Sequence, residues 1–308
     1  MNNNTALIQY LPLTRPLASY ALTKKLFSKN INAILDLEDS AQDIFDSKHN
    51  LELKKIARDG LLTISNYKLP ITNSKLYVRI NSPKTEFYNL DLSIIKKVIK
   101  NNFRIDGIFL PMTESYDEIA NLNEYFNNIE IVPMIETKEG FKNLENILIL
   151  DKDNLIKRVH YGNFDFSYSC EFWPFLDPNH DKYWEIINDI LTLLKKYKKS
   201  FVGSPFPFPH NEKLFWQCNY YTEKLADLNE IWHCCVNSTL ALSSRLKYSK
   251  LELIKYDFSN SEKIKIAKNI INDFIEGRSN KRSFGVSSHR FIAPHQFLAA
   301  KKYLDENE

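Results

Sequence analysis

The sequence predicts an α/β protein, a (β/α)8 barrel with extra C-terminal helices, and three observations carry that reading. Short apolar runs rich in β-branched and aromatic residues alternate with longer amphipathic stretches, the pattern of repeated βα units on a parallel sheet. Eight such runs occur, over 7–13, 31–37, 76–80, 107–110, 129–135, 158–161, 200–202 and 231–236, which is the strand number of a closed barrel. Several of them end in charged residues, out of pattern for strands buried on both faces. Between the runs lie segments of helical periodicity, 17–28, 51–65, 92–101, 116–127, 140–149, 182–197 and 219–228; two further helices, 261–276 and 294–305, follow the eighth run. These divide the chain into a barrel over residues 1–240 and a helical extension over 241–308. Alternation alone leaves a doubly wound open sheet as the competing architecture.

Composition narrows the function classes. With 41 Lys plus Arg against 38 Asp plus Glu, the net charge of +3 does not point to nucleic acid. Four cysteines, Cys170, Cys218, Cys234 and Cys235, form no CxxC pair, which with the lack of a secretory signal predicts a cytoplasmic protein. No run of eighteen apolar residues suggests a membrane span. Only 7 glycines are present, and neither GxGxxG nor GxxxxGK[ST] occurs, so a phosphate cradle is not expected.

The polar strand ends are the candidate site. Glu38 and Asp39 leave the second run, Arg79 and Asn81 the third, Glu136 the fifth and Asp165 the sixth. In a barrel all these ends meet on one face. Neighbouring parallel strands lie ~4.8 Å apart, so Glu136 and Asp165 can share one ion. Two carboxylates, with water and substrate oxygens completing the shell, suit Mg²⁺; a tetrahedral zinc set would need a nearby His or Cys. Plainer roles stand beside these. Asp39 and Asp165 can cap the helices that follow, and Arg79 can pair with Glu38 or Asp39. His160 and His233 read as hydrogen-bonded wall residues, Cys234 and Cys235 as packing, the aromatic stretch from Phe164 to Phe175 as a lid, and the Ser204–His210 segment SPFPFPH as a rigid loop.

The motifs ILDLEDSAQDIFDSKHNLELKKIARDGL, VRIN, FLPMTES, PMIETKEG, GNFDFS and RFIAPHQFLAAKKYL resemble, in this order, those of the HpcH/HpaI aldolase/citrate lyase beta-subunit group, which includes the malyl-CoA lyases. The resemblance spans most of the chain. It implies a carbon–carbon lyase acting on a 2-oxo acid or related carboxylate, with an acyl-CoA substrate also in view, through a metal-stabilised enolate. Glu136 and Asp165 are then the Mg²⁺ ligands, and Arg79 grips a substrate carboxylate with its planar fork. Glu38 and Asp39 orient the water around the metal, and Asn81 and Arg15 stand near the substrate. It also implies a homo-oligomer, a trimer or hexamer, in which the C-terminal extension covers a neighbour's site. Three positions depart from the family pattern: Met112 replaces a lysine, the N-terminal ALIQYLPL lacks the family's arginine, for which Arg15 is the nearby substitute, and Ala293 replaces an acid/base aspartate. His289 and His295 flank that last change. The departures keep two alternatives open, different metal-dependent chemistry on the same scaffold and a catalytically silent binding or assembly subunit.

Overall fold

A computed structural model describes residues 4–127, 129–245, 250–278, 285–286 and 290–307. The eight runs are strands β1 (Asn4–Pro12), β2 (Asn32–Asp36), β3 (Leu76–Arg79), β4 (Gly107–Leu110), β5 (Glu130–Ile135), β6 (Arg158–Tyr161), β7 (Ser200–Val202) and β8 (Glu230–Cys235). All neighbours pair in parallel, and β1 closes on β8 with Leu7 opposite His233. The sheet is therefore a closed barrel, and the open-sheet alternative is excluded.

Alternate side chains explain why these runs are apolar throughout. Along each strand successive residues face opposite sides, so Ile8, Tyr10, Ile34, Tyr77, Phe109 and Trp232 fill the barrel interior, while Leu11, Leu35, Val78, Ile108 and Ile135 face the helices. At the N-terminal end of the barrel Arg158 pairs with Glu130 at 2.5 Å and Glu230 at 2.9 Å and lies over the Trp232 ring.

The helices are α1 (Pro16–Phe27), α2 (Ser47–Ser65), α3 (Tyr88–Lys100), α4 (Tyr116–Phe126), α5 (Lys138–Leu150), α6 (Asn163–Ser169), α7 (Asp181–Lys196), α8 (Glu212–Leu225) and α9 (Ser238–Ala241). Several start earlier than the apolar periodicity suggests, because a polar cap sets the first turn. Asp46 accepts the His49 N–H at 3.0 Å and starts α2 four residues before Leu51. Asn211 accepts that of Leu214 and starts α8. The aromatic stretch is not one lid. It divides into α6 and a loop in which Phe166 and Phe175 are buried in the fold.

Beyond the barrel, α10 (Asn260–Arg278), a short antiparallel hairpin of β9 (Gly285–Val286) with β10 (Phe291–Ile292), and α11 (Pro294–Asn307) form a unit with its own small core. Ala267, Ile270, Phe274, Ile292 and Ala300 are its buried centre. This unit rests on the mouth of its own barrel: the Phe291 N–H donates to the Pro207 carbonyl at 2.8 Å, Arg290 pairs with Asp177 at 2.5 Å, and Trp173 stacks on Tyr303. The hairpin strands, two residues each, are too short to show alternation in sequence. Among the described residues no helix is long and apolar enough to cross a membrane.

Candidate active site

At the C-terminal rim, β2 and β3 place Asp36 directly opposite Arg79 in register. The Arg79 Nε and Nη2 donate to the two Asp36 oxygens at 2.8 and 2.7 Å, a two-pronged pair with both side chains buried. Asp36 also accepts the backbone N–H groups of Glu38 and Ser40, each at 3.0 Å. These hold the chain in the turn Asp39–Ala41 that follows β2. Arg79 Nη1 reaches Asp39 at 2.8 Å and Glu38 at 2.9 Å, and its guanidinium lies over the Tyr10 ring, 4.5 Å from the centroid. Glu38 and Asp39 thus take the plainer of the roles expected of them, as ion-pair partners of Arg79 at the rim. Asp36 was the missed member. Its signal was an acid inside the apolar run ILDL, one register step from an arginine.

The electrostatics follow from burial. Desolvation would raise the Asp36 carboxyl, but Arg79 and the two backbone N–H groups outweigh it and hold the group below its usual range. Glu38 is pushed well above the carboxylate range by burial and by the charge of Asp39. Glu136 is likewise raised, first by burial and then by the charge of Asp165. Glu136 Oε1 accepts the Met112 N–H at 2.7 Å, with Met112 held at a positive φ of 50°. Its other oxygen lies against Gly162, where an added Cβ would come within 2.3 Å. A glycine after β6 is thus required for Glu136 to fit.

Asp165 does not cap a helix. It sits in the first turn of α6, and its carboxylate takes Nδ1 of His295 at 2.7 Å. That imidazole stacks on Tyr168. Burial would lower the His295 pKa, but the bond to Asp165 and its charge raise it. His295 comes from α11 of the same chain, whereas His289 lies outside the described residues. His160 is a wall residue, as expected: its Nε2 meets the Tyr10 hydroxyl at 2.9 Å, and burial brings its pKa down to about 3. His233 pairs with Glu223. Asn81 is not at the rim cavity, because its side-chain amide is spent on Asp91 at 2.6 Å and the Leu37 carbonyl at 3.0 Å. Arg15 is exposed at the start of α1 and does not line the cavity.

A cavity of about 330 Å³ opens over Asp36, Asp39, Arg79, Asp165 and His295, with Glu38 and the buried Glu136 behind its lining. Tyr10, Asp36, Asp39, Arg79 and Asp165 form one side, and loops after β7 and β8 with the C-terminal unit form the rest. Among the described residues no cluster of three or more His, Cys, Asp or Glu side chains forms a metal site, so any ion here would rest on the two carboxylates.

The family model for HpcH/HpaI aldolase/citrate lyase matches residues 13–197, more than half of the chain. The chain belongs to the HpcH/HpaI aldolase/citrate lyase family. It is accordingly a carbon–carbon lyase by family, and the matched segment carries Asp36, Arg79, Glu136 and Asp165. Solved structures share the family fold. A Haloferax volcanii malate synthase, a pyruvate/acetyl-CoA ternary complex, superposes with a TM-score of 0.70 at 10% identity, covering 99% of this chain and 91% of that chain. The citrate lyase beta subunit of M. tuberculosis, complexed with oxaloacetate and magnesium, gives a TM-score of 0.56 at 14% identity over 78% of this chain and 94% of that one. Protein CitE from Mycobacterium tuberculosis, with magnesium, acetoacetate and coenzyme A, gives 0.58 at 14% identity over 98% of this chain and 97% of that one. No curated protein matches the sequence.

Proposed function

We propose that this family member is a magnesium-dependent lyase or aldolase that cleaves or forms a carbon–carbon bond next to a small 2-oxo acid. The observation that carries the reading is the pair Glu136 and Asp165, two carboxylates from consecutive βα units. They are close enough that the charge of Asp165 helps raise the Glu136 pKa. Crowded acids of this kind suit a divalent cation, since the cation relieves both their repulsion and their burial. Glu136 Oε2 and the Asp165 carboxylate would hold it. When bound, magnesium would supply positive charge where negative charge develops on the 2-oxo fragment. Magnesium and small carboxylates in the citrate lyase and CitE structures are consistent with this reading.

The chain's own groups supply the rest. Arg79 offers a substrate carboxylate its charge, but its two-pronged edge is already spent on Asp36, so the fork expected to clamp the substrate is not free. Glu38, raised by burial and Asp39, is suited to hold a proton. In the cleavage direction a hydroxyl proton leaves, the bonding electron pair passes to the 2-oxo fragment, and that fragment takes up a proton as the other departs with its new carbonyl. Alanine at 293 lines the cavity and transfers no proton. That observation favours the second reading, a family member with altered metal-dependent chemistry or a silent assembly subunit. A homo-oligomer, trimer or hexamer, belongs to the same proposal, and light scattering tests its size.

Calorimetric titration with Mg²⁺ followed by pyruvate decides between them. Glu136→Ala and Asp165→Ala should each abolish metal binding while leaving the far-ultraviolet circular dichroism unchanged. Metal binding that survives both substitutions overturns the site, and the absence of metal binding in the unmodified protein favours the silent subunit.

A further inference from the structure

The cavity is built from two unlike halves, and the division bears on what fills it. Its charged half comes from β2, β3 and α6 through Asp36, Asp39, Arg79 and Asp165, with His295 set against Asp165. Its other half comes from the loops after β7 and β8 and from the C-terminal unit. There Pro205, Pro209, Val236, Phe291 and Ala293 face the space beside two polar residues, His210 and Asn237, and Phe164 closes against Phe291 with ring centroids 5.6 Å apart.

Cations are scarce. Among the described residues lining the cavity Arg79 is the single Lys or Arg side chain, and it already faces Asp36, Glu38 and Asp39. His295 is committed to Asp165. One ligand carboxylate can be matched by a bound metal, since the Arg79 nitrogens already face Asp36, Glu38 and Asp39. A second would lie against the mainly apolar half, where no described Lys or Arg lines the cavity, and an unpaired buried charge is strongly disfavoured. The volume also matters: at about 330 Å³ the cavity is at the small end of ligand pockets, ~300–1,000 Å³. The nucleotide of a CoA thioester exceeds this volume and would lie outside the cavity.

We propose that the ligand of this site is a monocarboxylic 2-oxo acid whose far end is an uncharged apolar group, aryl or branched alkyl, and not a dicarboxylate. This rests on the reading above that the site takes a metal and a 2-oxo acid. The carboxylate and oxo group lie at the charged half, and the apolar group packs between Phe291, Val236 and the two prolines.

Titration of the magnesium-saturated protein with pyruvate, phenylpyruvate, oxaloacetate and acetyl-CoA tests it. Phenylpyruvate is expected to bind about 10-fold tighter than pyruvate or better, the gain from burying a ring, with oxaloacetate and acetyl-CoA each weaker than phenylpyruvate. If pyruvate binds only with metal but phenylpyruvate gains nothing, or oxaloacetate or acetyl-CoA binds tightest, the apolar-ligand inference falls and the lyase reading stands. If no 2-oxo acid binds the magnesium-loaded protein, both fall. Ala293→Asp, which sets a charge in the apolar half, and Phe291→Ala, which removes a ring, should each bring the phenylpyruvate-to-pyruvate ratio towards unity in protein of unchanged circular dichroism. A ratio that stays at the unmodified value in both variants overturns the inference.

Discussion

Asp36 and Arg79 show how a single register decides a site. They are opposite one another on adjacent strands, and the pair is buried, so removing one partner strands the other. Asp36→Ala is expected to cost about 3–5 kcal/mol in urea unfolding, with Glu38 and Asp39 recovering only part of the loss. The Asp36 carboxyl is lowered in the folded chain. Its contribution is therefore present above the unfolded carboxylate pKa and is lost as pH falls through the folded value. Glu136 has the opposite sign. Its folded pKa is raised, so folding takes up a proton, and the cost of the bare carboxylate grows as pH climbs from the ordinary carboxylate range through that raised value. A metal needs the deprotonated group, and the melting-temperature rise with Mg²⁺ should accordingly be larger at pH 8 than at pH 5.5. Gly162→Ala drives a methyl group into the Glu136 side chain. The expected destabilisation is about 1–3 kcal/mol, together with weaker magnesium binding in the same calorimetric titration.

The C-terminal unit determines what covers the cavity. Its own core is small, centred on Phe274, which stacks on Phe297 at 4.6 Å and meets Phe45 of the barrel side at 5.8 Å. Phe274→Ala should cost about 3–5 kcal/mol within this unit, loosening it before the barrel unfolds. Limited proteolysis should then cleave C-terminal to α9 while leaving a protected barrel; simultaneous loss of both would mean that the two form one cooperative block. Helix α2 gives a milder test at the same scale, since Asp46→Ala removes the cap at His49 for about 1 kcal/mol.

Across the whole molecule the closed barrel is what brings acids from β2, β5 and α6 to one rim. Closure by β8 on β1 leaves the barrel no free edge, and the interior is packed, not open, with Tyr10, Tyr77, Phe109 and Trp232 at its centre. Function is therefore confined to the rim and the elements above it. Magnesium at a hundred times its dissociation constant should stabilise the fold by about 2.7 kcal/mol, read as a rise in melting temperature that Glu136→Ala abolishes.

By itself the sequence determined eight strands in βα alternation and most of their charged ends, because strands buried on both faces must be apolar throughout and any charge at their ends stands out. That is why Glu38, Asp39, Arg79, Glu136 and Asp165 were legible before any coordinates. Tertiary structure alone decided the rest. Closure against an open sheet came from β1 pairing with β8. Asp36 looked like part of a strand until its register with Arg79 was known, and Asn81 looked like a rim residue until Asp91 claimed its amide. His295 is 130 positions from Asp165, and no local pattern encodes a contact formed when a terminal helix folds back over the barrel. Periodicity reports which face of an element is buried, whereas partners far apart in the chain are chosen by packing.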